Sequence, residues 1–132
     1  MNSMTNKISF AFFKFIVRDL EKVSEFYQNS LGLEIVRKIE AAICVELVMR
    51  FPGQANDFCL ILYKPLKDQA LQSCGLHGPL GFYVDNLDDA IDRCLRHGAI
   101  LEQDPFHAGR FRVAFLRDPE AHVLELLERV DS

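Results

Sequence analysis

Two charged residues interrupt apolar stretches of this sequence. Glu125 lies within Val123–Leu127, and Lys14 lies within Phe10–Val17. Because an unpaired carboxylate is costly in apolar surroundings, Glu125 is predicted to act as a general base facing a cleft or to anchor a cationic group. Alternatively, it is an acid that pairs with Lys14 or Tyr63. Lys14 is predicted either to hold a carboxylate or phenolate among aromatic rings, or to reach water from the end of a sheet.

The cysteines and histidines show no spacing typical of a metal centre or a redox pair. The chain has four cysteines and no Cys-x-x-Cys motif, which favours reduced and mostly buried thiols. His77 and His107 lie in predicted loops that could cover the mouth of a cleft, although loop histidines commonly face solvent. The cysteines are Cys44, Cys59, Cys74 and Cys94.

Length and charge exclude several classes of protein. The 132 residues predict a single domain over 1–132. A net charge of −4 with no dense basic segment makes nucleic acid an unexpected partner. The longest apolar stretch, Phe10–Val17, is far shorter than the roughly 20 residues that span a bilayer, and residues 1–7 lack the apolar core expected of a signal peptide. We therefore expect a cytoplasmic protein without a membrane partner.

The pattern of apolar residues predicts the same order of elements twice. In each half a strand leads into a helix, with Asp19 or Asn86 at the expected N-cap, and three strands follow. Gly32 and Gly98 stand where a left-handed residue would end each helix. The first half comprises a strand over Ser9–Val17, a helix over Leu20–Leu31, and strands over Leu33–Glu40, Ala42–Phe51 and Asp57–Lys64. The second comprises a strand over Leu80–Val84, a helix from Leu87, and strands over Ala99–Gln103, Arg110–Arg117 and His122–Arg129.

This repetition predicts the architecture. With an offset of 67, Phe15–Leu20 matches Phe82–Leu87, so the halves are copies of one βαβββ unit. We predict an α+β fold of two tandem βαβββ modules that form a curved mixed sheet around a cleft, with the helices on the outer face. Module one covers about 8–64, a linker covers 65–78, and module two covers about 79–129.

Several segments together resemble one known family. They are Phe15–Lys22, Phe26–Tyr27, Leu31–Leu33 and Asp118–Leu126. With these segments the chain resembles the glyoxalase, bleomycin-resistance and extradiol-dioxygenase superfamily, also called vicinal oxygen chelate. The superfamily includes lyases, epimerases, dioxygenases, thiol transferases and drug-binding proteins, so the resemblance specifies the fold far better than the function. Ala121 stands where the family usually has glycine.

The resemblance also implies where a metal would bind. Metal enzymes of the family take one ligand from the first strand and one from the last strand of each module. In this chain those positions fall on Phe12, Ile61, Pro79 and Glu125, of which only Glu125 can coordinate a metal. We therefore predict no metal site and no cofactor. The alternative is a divalent-metal-dependent lyase, isomerase or dioxygenase with ligands displaced to His77, Cys59 or His107.

Alternation along the strands predicts an apolar, aromatic cleft. The residues expected to bind a ligand there are Phe12, Lys14, Ile61, Tyr63, Tyr83, Phe111 and Phe115, with Glu125 as the catalytic candidate. Glu46 and Arg50 share one face of the third strand, which is predicted either to be solvated or to lie at the rim of the cleft.

We therefore predict a protein that binds a small, largely apolar or aromatic organic molecule without metal and forms a homodimer. A structural or partner-binding dimer, in which the other subunit closes the cleft, is a third hypothesis. The sequence does not determine the charge of the ligand, because Lys14 favours an anion whereas the net negative charge of the chain favours a cation.

Overall fold

The structure is a computed structural model that describes residue 10 and residues 12–67 and 79–130. Its elements follow the predicted order closely. The first module contains β1 Phe12–Ile16, α1 Leu20–Phe26, β2 Glu34–Glu40, β3 Cys44–Arg50 and β4 Cys59–Pro65. The second module contains β5 Leu80–Tyr83, α2 Leu87–Arg96, β6 Ile100–Leu101, β7 Phe106–Ala108, β8 Phe111–Arg117 and β9 Val123–Arg129.

Both helices begin at the predicted caps. The Asp19 side chain accepts a hydrogen bond from the backbone N–H of Lys22, and Asn86 does the same for Asp89. The first helix is not α-helical throughout, because Tyr27–Leu31 forms a wider π-helical turn. Gly32 ends that turn with φ 83°, in the left-handed conformation that the sequence predicts.

The strands form two mixed sheets, one from each module. The first sheet has the order β1-β4-β3-β2, and the second has the equivalent order β5-β9-β8-β6 with β7 added beside β8. In each sheet the first and last strands of the module are parallel neighbours. The predicted α+β class and the βαβββ order are therefore confirmed.

The two modules share one hydrophobic core. The helix-covered faces of both sheets contribute to it, and the largest buried side chains include Phe15 and Leu62 from the first sheet and Leu116 and Leu126 from the second. The helices contribute Val23, Phe26, Tyr27, Leu87, Ile91 and Cys94. Because the helix-covered faces meet in the interior, the opposite face of each sheet points away from the shared core.

The structure corrects the prediction for the segment before β8. Phe106–Ala108 was expected to be a loop carrying His107, but it forms strand β7, antiparallel to β8. Three residues at a sheet edge are too few to show a period of two, so the sequence gives no strand signal there.

His77 and Cys74 lie outside the described residues, as does most of the predicted linker. Neither helix in the described ranges is long and apolar enough to cross a membrane.

Candidate functional site

Each sheet has an open face, meaning the face opposite its helix. Alternation places the predicted ligand-binding residues on these faces, because their neighbours in sequence, such as Phe15, Leu62, Leu124 and Leu126, are buried in the core. The open face of the first sheet carries Phe12, Lys14, Glu46, Cys59, Ile61 and Tyr63. The open face of the second sheet carries Gly81, Tyr83, Phe106, Phe111, Phe115 and Glu125.

Lys14 is paired with Glu46 across the first sheet. Its Nζ lies 2.6 Å from Glu46 Oε2, and the two side chains are 37% and 13% exposed. The ammonium also lies 5.1 Å from the ring centroid of Tyr63 and 5.5 Å from that of Phe12. Of the two alternatives for Glu46, the solvated face is therefore wrong, and Lys14 does not pair with Glu125. Strand parity placed Glu46 on the same face of its strand as Arg50, but the sequence does not give the register that brings Glu46 to Lys14.

Tyr63 and Cys59 complete the open face of the first sheet. Partial burial and the neighbouring Cys44 raise the pKa of Tyr63, whereas the positive charge of Lys14 acts in the opposite direction. Burial likewise raises the pKa of Cys59. A raised pKa keeps both groups protonated near neutral pH, so this face presents a thiol and a phenol rather than a thiolate and a phenolate.

Glu125 lies at the centre of the second sheet. In the sheet register it is flanked by Gly81 on β5 and Phe115 on β8. Within the described part of the chain no hydrogen bond or ion pair reaches its carboxylate, although the residue is half-buried. Gly81 leaves space beside it, since an added Cβ would meet only Leu127 Cδ1 at 3.7 Å and a backbone oxygen at 3.9 Å.

Two pairs of aromatic rings lie on the same open face as this carboxylate. Tyr83 and Phe111 have ring centroids 5.8 Å apart, and Phe106 and Phe115 stack at 6.0 Å. Tyr83 is 80% exposed, which is unusual for an aromatic residue on a strand. Phe106 is the ring that the sequence analysis missed, because its strand was not predicted.

The residues at the expected metal positions do not fit a metal ion. The sheet registers confirm the alignment of the two modules, since Lys14 lies beside Ile61 just as Gly81 lies beside Glu125. Phe12, Ile61 and Pro79 offer no ligand atom from their side chains. Among the described residues of one chain, no three His, Cys, Asp or Glu side chains are placed to hold a metal.

The two displaced ligands that lie in the described part of the chain, Cys59 and His107, do not converge within one chain. Cys59 lies on the first sheet beside Phe12, whereas His107 lies on the second. His107 is opposite Arg112, whose side chain reaches Asp88 of α2, so His107 is on the helix side and not on the open face.

A buried polar network joins the two modules behind the open faces. His122 is fully buried, stacks on Phe15 at 4.3 Å and places Nδ1 2.7 Å from Asp118 Oδ2. Its Nε2 lies 2.7 Å from the carbonyl oxygen of Ile16, and the Tyr27 hydroxyl donates to Asp118 at 2.8 Å. His122 therefore has a structural role between the modules and does not face either open face.

The surroundings of His122 favour its protonated form. Both ring nitrogens face oxygen acceptors, so both donate when the ring is protonated. Burial lowers the pKa of His122, but the hydrogen bond and charge of Asp118, together with the Ile16 carbonyl, outweigh burial and raise it. The sequence alone does not predict that these two residues pair between the modules.

A small cavity lies between the modules near the open faces. It has a volume of about 120 Å³ and a mostly apolar lining that includes Phe58, Phe82 and Cys59. Arg50, predicted to be either solvated or at the rim of the cleft, lines this cavity and donates to the carbonyl oxygen of Asn56 through Nη2.

Fold and residues together define the class of this protein. A family model described as the Glyoxalase/Bleomycin resistance protein/Dioxygenase superfamily matches residues 9–126, and the chain belongs to that superfamily. The resemblance stated from the sequence is thus confirmed.

Individual relatives within the superfamily differ in what they do. A lactoylglutathione lyase from Salmonella typhimurium is 25% identical over 130 residues, covering 88% of this chain and 89% of its own length. One from Neisseria meningitidis serogroup A is 25% identical, covering 86% and 85%. Among solved structures, an antibiotic-binding protein from Streptomyces sp. CB03234 superposes with a TM-score of 0.76 at 21% identity, covering 96% of this chain and 99% of its own. Glyoxalase I from Leishmania major gives a TM-score of 0.76 at 18% identity, covering 92% and 87%.

Proposed function

We propose that this protein binds a small, largely apolar or aromatic organic molecule against the open faces of its two sheets, without a metal ion. The observation that carries the proposal is the replacement of three metal-ligand positions by Phe12, Ile61 and Pro79 on a retained fold. Aromatic rings with few polar groups suit an apolar ligand. The antibiotic-binding protein of similar fold shows that this architecture serves binding as well as catalysis.

The proposal includes a homodimer in which two chains complete each cleft. Within one chain the modules pack through their helix-covered faces, so the two open faces lie on separate sheets. Phe12 is 51% exposed on β1 and Tyr83 is 80% exposed on β5, and each of these strands is at the edge of its sheet. A second copy that sets its first sheet beside the second sheet of this chain would place both kinds of ring at the lining of one cleft. A cytoplasmic location belongs to the same proposal.

The second candidate is a metal-dependent lyase or isomerase with Glu125 as a ligand. Its support is the group of relatives named lactoylglutathione lyase. The third candidate is a structural dimer whose cleft is filled by the partner. Only the second candidate requires a stoichiometric metal ion, and only the first requires a free cleft in the dimer.

Fluorescence titration with the neutral dye Nile red tests the binding proposal. Tyr83→Ala removes an exposed ring from the proposed cleft, so we expect at least a fivefold loss of affinity with an unchanged melting temperature. The matched control is Ile43→Ala, which removes a side chain that is 63% exposed outside both open faces. Saturable binding that is lost only in Tyr83→Ala supports the proposal, whereas equal effects of the two variants contradict it. Sedimentation velocity on the same samples tests the dimer.

A further inference from the structure

The second sheet has one charged group that lacks a partner at the proposed site. On its open face, Arg117 pairs with Glu102 and Arg129 lies over the ring of Phe111 at 5.0 Å. On β1 of the first sheet, the charge of Lys14 is neutralised by Glu46. Glu125 alone among these groups has no ionic or hydrogen-bonding partner in the described residues.

The surroundings of Glu125 make a missing partner costly. The carboxylate is half-buried on a strand whose flanking residues, Leu124 and Leu126, are fully buried. Water reaches it incompletely, so its negative charge is less well solvated than at an open surface. A cation that settles beside it would recover electrostatic energy that water does not supply.

The rings beside Glu125 suit the same kind of ligand. Phe115 is its direct neighbour on β8 and stacks with Phe106, while Tyr83 and Phe111 form a second pair on the same face. Aromatic faces attract organic cations through their negative quadrupole. The space beside Gly81 gives a ligand group access to the carboxylate.

We infer that the ligand of this protein carries an organic cation, an ammonium or amidinium group on an apolar or aromatic body, with the cation against Glu125 and the body against the rings. This inference rests on the proposed function and specifies its ligand class. It also resolves the choice between anion and cation that the sequence leaves open, because the residue that favoured an anion, Lys14, already has a carboxylate partner.

The test compares a cationic and a neutral probe on one site. Wild type and Glu125→Gln are titrated with thioflavin T, an aromatic cation, and with neutral Nile red. Asp92→Asn is the control, since it removes the same charge from an exposed position on α2. We expect Glu125→Gln to weaken thioflavin T binding about tenfold or more and to change Nile red binding less than about twofold. Asp92→Asn should change the binding of either dye less than about twofold.

The possible failures of this test are distinct. If Nile red saturates the protein and Glu125→Gln leaves thioflavin T affinity unchanged, the inference is wrong while the proposed function stands. If Glu125→Gln weakens the binding of both dyes equally, Glu125 shapes the face and does not recognise charge, and the inference is wrong. If sedimentation shows that Glu125→Gln dissociates a dimer, a basic group of a second copy is the partner of the carboxylate, and the inference is overturned. Absence of saturable Nile red binding in wild type contradicts the proposed function itself.

Discussion

Lys14 and Glu46 form an ion pair across the first sheet, with Nζ 2.6 Å from Oε2, although one residue is on the edge strand β1 and the other is on β3. The pair spans the intervening strand β4 at the level of Tyr63, whose ring also contacts the ammonium. An isolated lysine on an aromatic strand would make this face positive. Because Glu46 neutralises it, the face presents a compact polar group among rings.

A double-mutant cycle measures the strength of this pair. Lys14→Met, Glu46→Gln and the double variant are compared by urea unfolding. Since Lys14 is 37% exposed, we expect a coupling free energy of about 1 kcal/mol or less, well below that of a buried pair. Single variants whose effects add without coupling would show that the pair contributes nothing to stability.

The His122–Asp118 pair predicts that stability depends on pH. The pKa of His122 is raised above its ordinary value of 6.5 in the folded state, so the folded protein holds this proton more tightly than the unfolded chain. Its contribution is therefore complete below the unfolded pKa and is lost as pH rises through the higher folded pKa. We expect the free energy of unfolding to fall over that window in wild type.

Urea unfolding across a pH series measures this pH dependence of stability, with His122→Gln as the comparison. Glutamine keeps a polar group beside Asp118 but has no proton to lose in this range. The fall in stability that begins above the ordinary histidine pKa should be absent in His122→Gln. Parallel pH profiles for the two proteins would contradict a raised pKa of His122 in the folded state.

The hydroxyl of Tyr27 contributes to the same network. It is fully buried and donates to Asp118 Oδ2 at 2.8 Å, and burial followed by the charge of Asp118 raises the pKa of Tyr27 well above its ordinary value. Tyr27→Phe removes a buried hydrogen bond to a carboxylate, so we expect a loss of about 1.5–3 kcal/mol in unfolding free energy. Tyr83→Phe, at a residue that is 80% exposed, should change stability by less than about 0.5 kcal/mol. Equal effects of the two variants would show that the network is not a main source of stability.

Ala121 occupies a backbone conformation that favours glycine. Its φ is 71°, and it is the one non-glycine residue with positive φ among those described. The left-handed conformation costs roughly 1–2 kcal/mol for a residue with a Cβ, while glycine loses about 0.4–1 kcal/mol through a more flexible unfolded chain. Ala121→Gly should therefore stabilise the protein by about 0.5–1 kcal/mol in urea unfolding. The control Ala90→Gly, within α2, should destabilise it by about 1 kcal/mol; a loss of stability in both variants would contradict strain at Ala121.

The fold was largely predictable because its signals are local. Asp19 and Asn86 mark the helix starts, and the offset between the modules fixes which strands correspond. Alternation then assigns each strand residue to the helix side or the open face, which correctly separated Phe15 from Lys14.

Some contacts could not be predicted from the sequence, because they depend on the register between strands that are distant in the chain. Glu46 reaches Lys14 only because β3 and β1 flank β4 at a particular stagger. Phe106 joins the rings of the second sheet through a strand too short to show periodicity. The raised pKa of His122 likewise depends in part on the Ile16 carbonyl, 106 positions away in sequence.

Elemental metal analysis tests the central proposal, ligand binding without metal, most directly. Wild type and Glu125→Ala are purified, incubated with nickel, zinc, manganese or ferrous iron, desalted and measured for bound metal per chain. Because Phe12, Ile61 and Pro79 supply no ligand atoms, we predict well under one ion per chain, at the same level in both proteins. One retained ion per site that disappears in Glu125→Ala would contradict the metal-free proposal and would establish Glu125 as a metal ligand.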